Sequence, residues 1–187
     1  LELKKQILGL NHPDTAKSLN DLAFLLKAKG EYEEAEAHAR MALKITEKLL
    51  GNHHPDTATS LINLASMYQS KGELDHAESL FRRTVKILRK ALGEHHPNTS
   101  VSMSYLAGLL RVKGSYDEAI RLYSKALANY ENKLGRNHLH TIICLVNIAG
   151  TFDAKGDYCS AEQNFKDSIQ RWEEFQPDHP YLVKTLR

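Results

Sequence analysis

Apolar residues return along this chain at the spacing of one helical face. Leu19, Leu22, Ala23 and Leu26 stand at i, i+3, i+4 and i+7, which predicts a helix with a single buried stripe. The stripe recurs as Leu61, Leu64, Ala65 and Tyr68, as Met103, Leu106, Ala107 and Leu110, and as Leu145, Ile148, Ala149 and Phe152. A second kind of helix is marked by Ala35, Ala77, Ala119 and Ala161. Each comes just after Tyr32, Leu74, Tyr116 or Tyr158 and is followed by Ala39, Phe81, Tyr123 or Phe165. Alanine fixed at one place in each copy predicts a close crossing, because the distance between packed helices is set by the side chains at their contact.

The polar segments between these stripes repeat as well. Leu8-Gly9-Leu10-Asn11-His12-Pro13-Asp14-Thr15 returns at Leu50 to Thr57, at Leu92 to Thr99 and, worn, at Leu134 to Thr141, with a trace at His179-Pro180. A second glycine series, Gly30, Gly72, Gly114 and Gly156, lies between the copies, and in both series the period is 42 residues. A unit with two stripes and two turns is a helical hairpin, and a fixed period of this length marks a repeat array. The Gly30 series fits a left-handed helix end, and Pro13, Pro55 and Pro97 fit the first turn of the next helix. Asp14, Asp56 and Asn98 sit where side-chain caps and negative charge help a helix start. Leu139 and His140 replace Pro and Asp in the fourth copy, so that turn is expected to be the loosest.

Leu-x-x-Leu-Ala-x-x-Leu/Tyr followed by Gly-x-Tyr, Ala and an aromatic resembles the tetratricopeptide pattern, over residues 14–175. The usual repeat of that type is roughly 34 residues. The additional residues lie in Lys44 to Leu50, Lys86 to Leu92 and Ala128 to Leu134. With no Gly or Pro in them, these segments predict second helices longer by about 12 Å. Long second helices and Leu-Gly-x-x-His-Pro-Asp linkers resemble the kinesin light chain subclass, shared by nephrocystin-3-like proteins. The fold expected is all-α, a right-handed superhelical solenoid of antiparallel helix hairpins. The chain reads as one array, 1–187. Residues 1–13 end a preceding repeat, 14–55, 56–97, 98–139 and 140–180 are whole repeats, and 181–187 begin a further first helix. A chain that starts at Leu1 rather than Met and is cut at both ends reads as an excised piece.

Composition narrows the function. Of 187 residues 42% are hydrophobic and 26% charged, with a formal net charge of +2. That balance suits a folded protein and offers no basic patch for nucleic acid or an anionic membrane. No apolar run approaches a membrane span, and a cytoplasmic setting is expected. Cys144 and Cys159 read as two buried thiols, with a disulfide as the alternative. The histidine pairs His53-His54, His95-His96 and His138-x-His140 read as turn residues, because they recur with the turn and no carboxylate or Cys cluster accompanies them. No metal or other cofactor is expected. Neither a nucleophile elbow nor a phosphate-binding glycine loop nor a zinc-protease motif is present, so the chain does not read as an enzyme. Trp172 reads as a plug at the end of the core.

The positions that the core does not use carry the functional expectation. One place beyond the core stripe runs a second one: Lys17, Asn20, Phe24 and Lys27; Thr59, Ile62, Ser66 and Gln69; Val101, Ser104, Gly108 and Arg111; Ile143, Val146, Gly150 and Asp153. Its copies differ from one another while the core copies barely change. The resemblance implies that first helices line a concave groove and that these positions meet an extended peptide. It also implies that Asn20, Asn63 and Asn147 hold that peptide's backbone, although Asp21 and Tyr105 depart from the Asn pair. An Asn needed by chaperone-binding relatives is replaced by Phe24, Ser66, Gly108 and Gly150, which argues against a chaperone tail. The expected partner is a protein or peptide with a bulky apolar anchor beside Val101, Ile143 and Val146, in space left by Gly108 and Gly150. Acidic residues are expected to run toward Lys17, Lys27 and Arg111. An adaptor or cargo-recognition role follows. The competing readings are a spacer or oligomerisation array, self-associating through its cut ends, and a regulatory domain of a larger enzyme.

Overall fold

The computed structural model describes residues 11–175. The expected end of a preceding repeat, most of which is residues 1–10, and the start of a further first helix lie outside the described residues. Eight helices and no strand are found among those described: α1 Pro13–Lys29, α2 Tyr32–Leu50, α3 Pro55–Ser70, α4 Leu74–Leu92, α5 Pro97–Val112, α6 Tyr116–Leu134, α7 Leu139–Lys155 and α8 Tyr158–Phe175. The segments Lys44 to Leu50, Lys86 to Leu92 and Ala128 to Leu134 are helical to their last residue. The chain divides into two units, residues 1–94 and 95–187. In the first, α1 packs on α2, α3 on α4, and α2 on α3; in the second, α5 packs on α6, α7 on α8, and α6 on α7.

Two turn types close the hairpins. Gly30 has φ 84° and ψ 7°, a left-handed conformation that a side chain disfavours. Its N–H reaches the Lys27 carbonyl and the Glu31 N–H reaches Leu26, each at 3.0 Å, so the turn closes two orphan carbonyls of α1. Gly72, Gly114 and Gly156 repeat both bonds. Gly51, with φ 87° and ψ 167°, occupies a region open in practice to glycine alone. It follows α2 and opens the linker to α3.

The helix caps correct the expectation for Asp14, Asp56 and Asn98. The N-cap is the histidine before each proline: Nδ1 of His12, His54 and His96 accepts from the N–H of Asp14, Asp56 and Asn98 at 3.1–3.2 Å. An Nδ1 that accepts places the ring proton on Nε2. The acidic residues stand in the first turn instead, where their charge suits the helix dipole. The fourth linker keeps the closing bonds of the others. His138 caps His140 at 3.2 Å, and the Thr141 hydroxyl donates to the Gly135 carbonyl at 2.8 Å, as Thr57 does to Gly51. The cap and the threonine hold that linker closed without Pro.

Core burial follows the two stripes, with informative exceptions. Ala23, Ala65, Ala107, Ala149, Ala35, Ala77 and Ala119 are completely buried. Leu22 and Phe152 are half-buried, whereas Phe165 and Tyr158, expected inside, are exposed. Cys144 is buried and Cys159 exposed, both as free thiols, which corrects the expectation of two buried ones. Burial pushes the Cys144 thiol up to about 12. No helix among the described residues is long and apolar enough to cross a membrane.

Candidate functional site

The stripe beside the core is partly open. Phe24, Ile143 and Val146 are 64%, 46% and 42% exposed. Lys17 and Thr59 are exposed, and Lys27, Ile62, Asn63, Ser66, Gln69, Val101, Ser104, Gly108, Arg111, Asn147 and Gly150 are half-buried. Asn20 differs, being 8% exposed. Burial also lowers the pKa of the Lys27 ammonium.

In the second unit a side chain stands beside each of the two glycines. A Cβ at Gly108 would stand 3.2 Å from the Tyr123 hydroxyl, and one at Gly150 would stand 3.6 Å from Arg111 Nη1. The space expected at the glycines is thus bordered by a neighbouring side chain at each position, Tyr123 from outside the stripe and Arg111 from within it. Tyr123 comes from α6 and is 3% exposed; burial pushes its hydroxyl up to about 12. Arg111 lies over α7, and its Nε is buried with no hydrogen-bond partner. Ser104 turns its hydroxyl back to the Ser100 carbonyl at 3.0 Å. An apolar cavity of about 180 Å³ does exist in this unit, between α7 and α8, lined by Ile142, Val146, Ser168, Ile169 and Trp172. Of the expected anchor residues only Val146 reaches it. Trp172 is a wall of that cavity rather than a buried plug.

In the first unit α1 and α3 frame a larger cavity of about 370 Å³ with the end of α2. Lys17, Asn20, Thr59 and Asn63 from the expected stripe line it, together with Asp14, Asp21, Asp56, Pro13, Thr46 and Leu50. The acidic flank expected at Lys17 would meet three carboxylates there, which repel it. The aspartates were legible only as turn residues and as a departure from an Asn pair. Asp14, Lys17 and Asp21, spaced i, i+3 and i+7, give the signal that they share a helix face.

Ion pairs join successive repeats within each unit. Lys71 binds Glu36 at 2.7 Å and Arg83 binds Glu47 at 2.7 Å in the first unit. In the second, Lys155 binds Asp117 at 2.6 Å, and Arg171, 8% exposed at its side chain, binds Asp167 at 2.8 Å and Glu131. The Lys71 hydrogen bond, with Arg40 beside it, holds the Glu36 carboxyl below the usual range. No group of three or more His, Cys, Asp or Glu among the described residues has a geometry that could hold a metal ion.

The comparisons agree with this architecture. A tetratricopeptide repeat family model matches residues 1–48, 14–90, 56–111 and 98–174. A crystal structure of nearly identical TPR-like repeats, of kinesin light chain type and from Podosopora anserina, matches with a TM-score of 0.80 at 24% identity, covering 95% of this chain and 84% of that one. A second structure of those repeats matches with a TM-score of 0.77 at 25% identity, covering 94% and 83%. BtubC (BKLC) from P. vanneervenii matches at 0.79 and 21% identity, covering 90% and 68%. No curated protein matches. The shared fold is the all-α repeat of helical hairpins.

Proposed function

We propose, from the premise that this chain belongs to the tetratricopeptide repeat family and carries kinesin light chain-like repeats, that it is a non-catalytic adaptor. In this reading its first helices bind an extended peptide segment of another protein, in a cytoplasmic setting. One observation carries the reading. The stripe next to the core keeps the large apolar side chains of Phe24, Ile143 and Val146 in solvent, while the neighbouring core stripe is buried except at the half-buried Leu22 and Phe152. Desolvating such groups favours binding, and apolar anchors dominate the energy of small interfaces.

The anchor belongs at the α7–α8 cavity, where Val146 and Trp172 offer apolar walls, rather than at Gly108 and Gly150. An acidic residue of the partner suits Arg111, a fixed cation whose Nε has no internal partner. Peptide display on the 187-residue chain tests the proposal. Selected peptides should share one bulky apolar residue, and Val146→Asp should weaken them by roughly tenfold or more, since a buried unpaired charge is costly. Failure to select any peptide would remove the reading.

A second reading, assembly through α8, is favoured by the exposed Tyr158, Phe165, Ile169 and Phe175. Light scattering across a concentration series separates the two: a peptide-binding monomer keeps its mass, whereas an assembly module gains mass with concentration and loses that gain in Ile169→Asp.

A further inference from the structure

The second helices of the first unit carry a charge pattern that no run of residues reveals. Arg40, Lys44 and Lys48 on α2 and Arg82, Lys86 and Lys90 on α4 stand at i, i+4 and i+8, in one register 42 residues apart. All six are exposed. Residues four apart are neighbours on a helix, so each helix presents one row of cations. This corrects the expectation of a chain without a basic patch: a spacing of four leaves no run in the sequence, and the helix collects it on one face. The same places in α6 hold Ser124, Ala128 and Asn132, and in α8 Lys166, Gln170 and Glu174, so the pattern belongs to the first unit.

Three carboxylates on these helices are engaged by other cations. Glu36 binds Arg40 at 2.8 Å and Lys71 at 2.7 Å, Glu78 binds Arg82 at 2.7 Å, and Glu47 on α2 binds Arg83 on α4 at 2.7 Å. That last bridge brings the two rows together. Lys44 lies three residues from Glu47 and Lys86 three from Arg83, a spacing that shares a helix face, so the two lysines flank it. Lys44, Lys48, Lys86 and Lys90 make no ion pair or hydrogen bond among the described residues. The helix dipole favours Lys48 and Lys90, which stand in the last turns, but its effect fades beyond that turn. Lys44 and Lys86 lie farther in, each four residues from a like charge, which costs stability while no partner is present.

We infer that these four lysines form a second docking surface, for a short acidic segment of a partner protein, on different helices from the stripe described above. Charge complementarity identifies the occupant, and the extent of the patch narrows it. Lys44 to Lys48 rises about 6 Å along the helix, close to the separation of alternate residues in an extended chain. The helices α2 and α4 have 19 residues each, roughly 28 Å. Their first turns carry the opposite charge, Glu33 and Glu34 on α2 and Asp75 on α4, all exposed. A bilayer surface or a nucleic-acid duplex laid along these helices would meet those carboxylates as well as the lysines. A short segment keeps to the basic end.

The 187-residue chain is titrated at low salt with a blocked hexaglutamate peptide and with blocked hexaglutamine, while backbone amide signals are followed by NMR. Hexaglutamate should perturb Lys44, Lys48, Lys86 and Lys90 and lose affinity as salt is added; hexaglutamine should not bind. One exposed ion pair contributes little, so the variants change two lysines at a time. Lys44→Gln with Lys86→Gln should weaken hexaglutamate by roughly fivefold, and Lys44→Arg with Lys86→Arg should retain it. Lys125→Gln with Lys133→Gln alters the net charge equally, on α6, and should leave affinity unchanged. Equal weakening by the two glutamine pairs would mean attraction to net charge alone and would overturn the inference. Absence of hexaglutamate binding, or shifts confined to other residues, would do the same. Tighter binding of phosphatidylserine vesicles or of a short DNA duplex through the same lysines would also overturn it. None of these outcomes touches the first-helix stripe, so peptide display decides that reading separately.

Discussion

Gly108 and Gly150 occupy equivalent places in α5 and α7, and alanine at the two should have opposite consequences. Neither has a positive φ, so alanine is conformationally acceptable at both. Replacing a helix-interior glycine by alanine gains about 1 kcal/mol from backbone entropy and propensity. At Gly150 the nearest atom to the new Cβ is Arg111 Nη1 at 3.6 Å, an ordinary contact with the end of a flexible side chain. Most of the gain should survive, about 0.5–1 kcal/mol, or about 2–4 °C per kcal/mol in a chain of this size. At Gly108 the Cβ would stand 3.2 Å from the Tyr123 hydroxyl, on a ring that is 3% exposed. Moving a packed ring by a few tenths of an ångström costs about 1 kcal/mol, enough to cancel the gain. Gly108→Leu should go further and destabilise by about 1–3 kcal/mol. Urea unfolding followed by circular dichroism measures all three. Tyr123→Phe removes the obstructing oxygen, so in that background Gly108→Ala should recover its stabilisation, and the double-mutant cycle isolates the contact. If Gly108→Ala stabilises as much as Gly150→Ala in the parent chain, Tyr123 does not fill that space and the account of the second unit is wrong.

Three further outcomes are expected. His54→Ala should destabilise by about 1 kcal/mol through loss of the α3 cap, whereas His54→Asn, a good capping residue, should restore most of it; equal thermal melts for the two variants would refute the cap. Gly51→Ala should cost about 1–3 kcal/mol in equilibrium unfolding from backbone strain alone, since nothing lies within 4 Å of the added Cβ; a neutral result would contradict the linker geometry. Tyr123 and Tyr130 are both pushed up to about 12 from 10 by burial, as Cys144 is to about 12 from 9. Folded values raised above unfolded ones give stability that is full below the unfolded pKa and lost as pH rises through the folded one. Chemical denaturation of the chain should therefore show stability falling between about pH 9 and 12, and Tyr123→Phe should flatten that slope.

Most of the helical architecture was legible because it rests on local rules repeated four times. The glycine of Gly30 type must end a helix, the Pro of Pro55 type must begin one, and the alanine stripe must face a neighbour. The candidate site was legible only in outline. The stripe of first-helix positions was visible as the set that varies while the core does not. Its occupancy was not, because Tyr123 reaches Gly108 from α6 and Arg111 reaches Gly150 from α5. The capping role of histidine was missed for a different reason. His-Pro-Asp offers two side chains that can accept at a helix start, and only the backbone angles of the linker choose between them.

The sequence by itself determined the all-α hairpin repeat, its period, the long second helices and the side of each first helix that stays outside the core. Those follow from periodicity and from the steric limits of Gly, Pro and Ala, which act within a few residues. Tertiary structure decided where space and charge collect. Asp14, Asp21 and Asp56 become one acidic lining only when α1 and α3 lie side by side. Asn20 becomes a buried, unsatisfied acceptor only when Ser60 takes its amide. The apolar cavity forms beside Trp172, not at the glycines, because a missing Cβ makes a pocket only where no side chain from another helix is long enough to fill it.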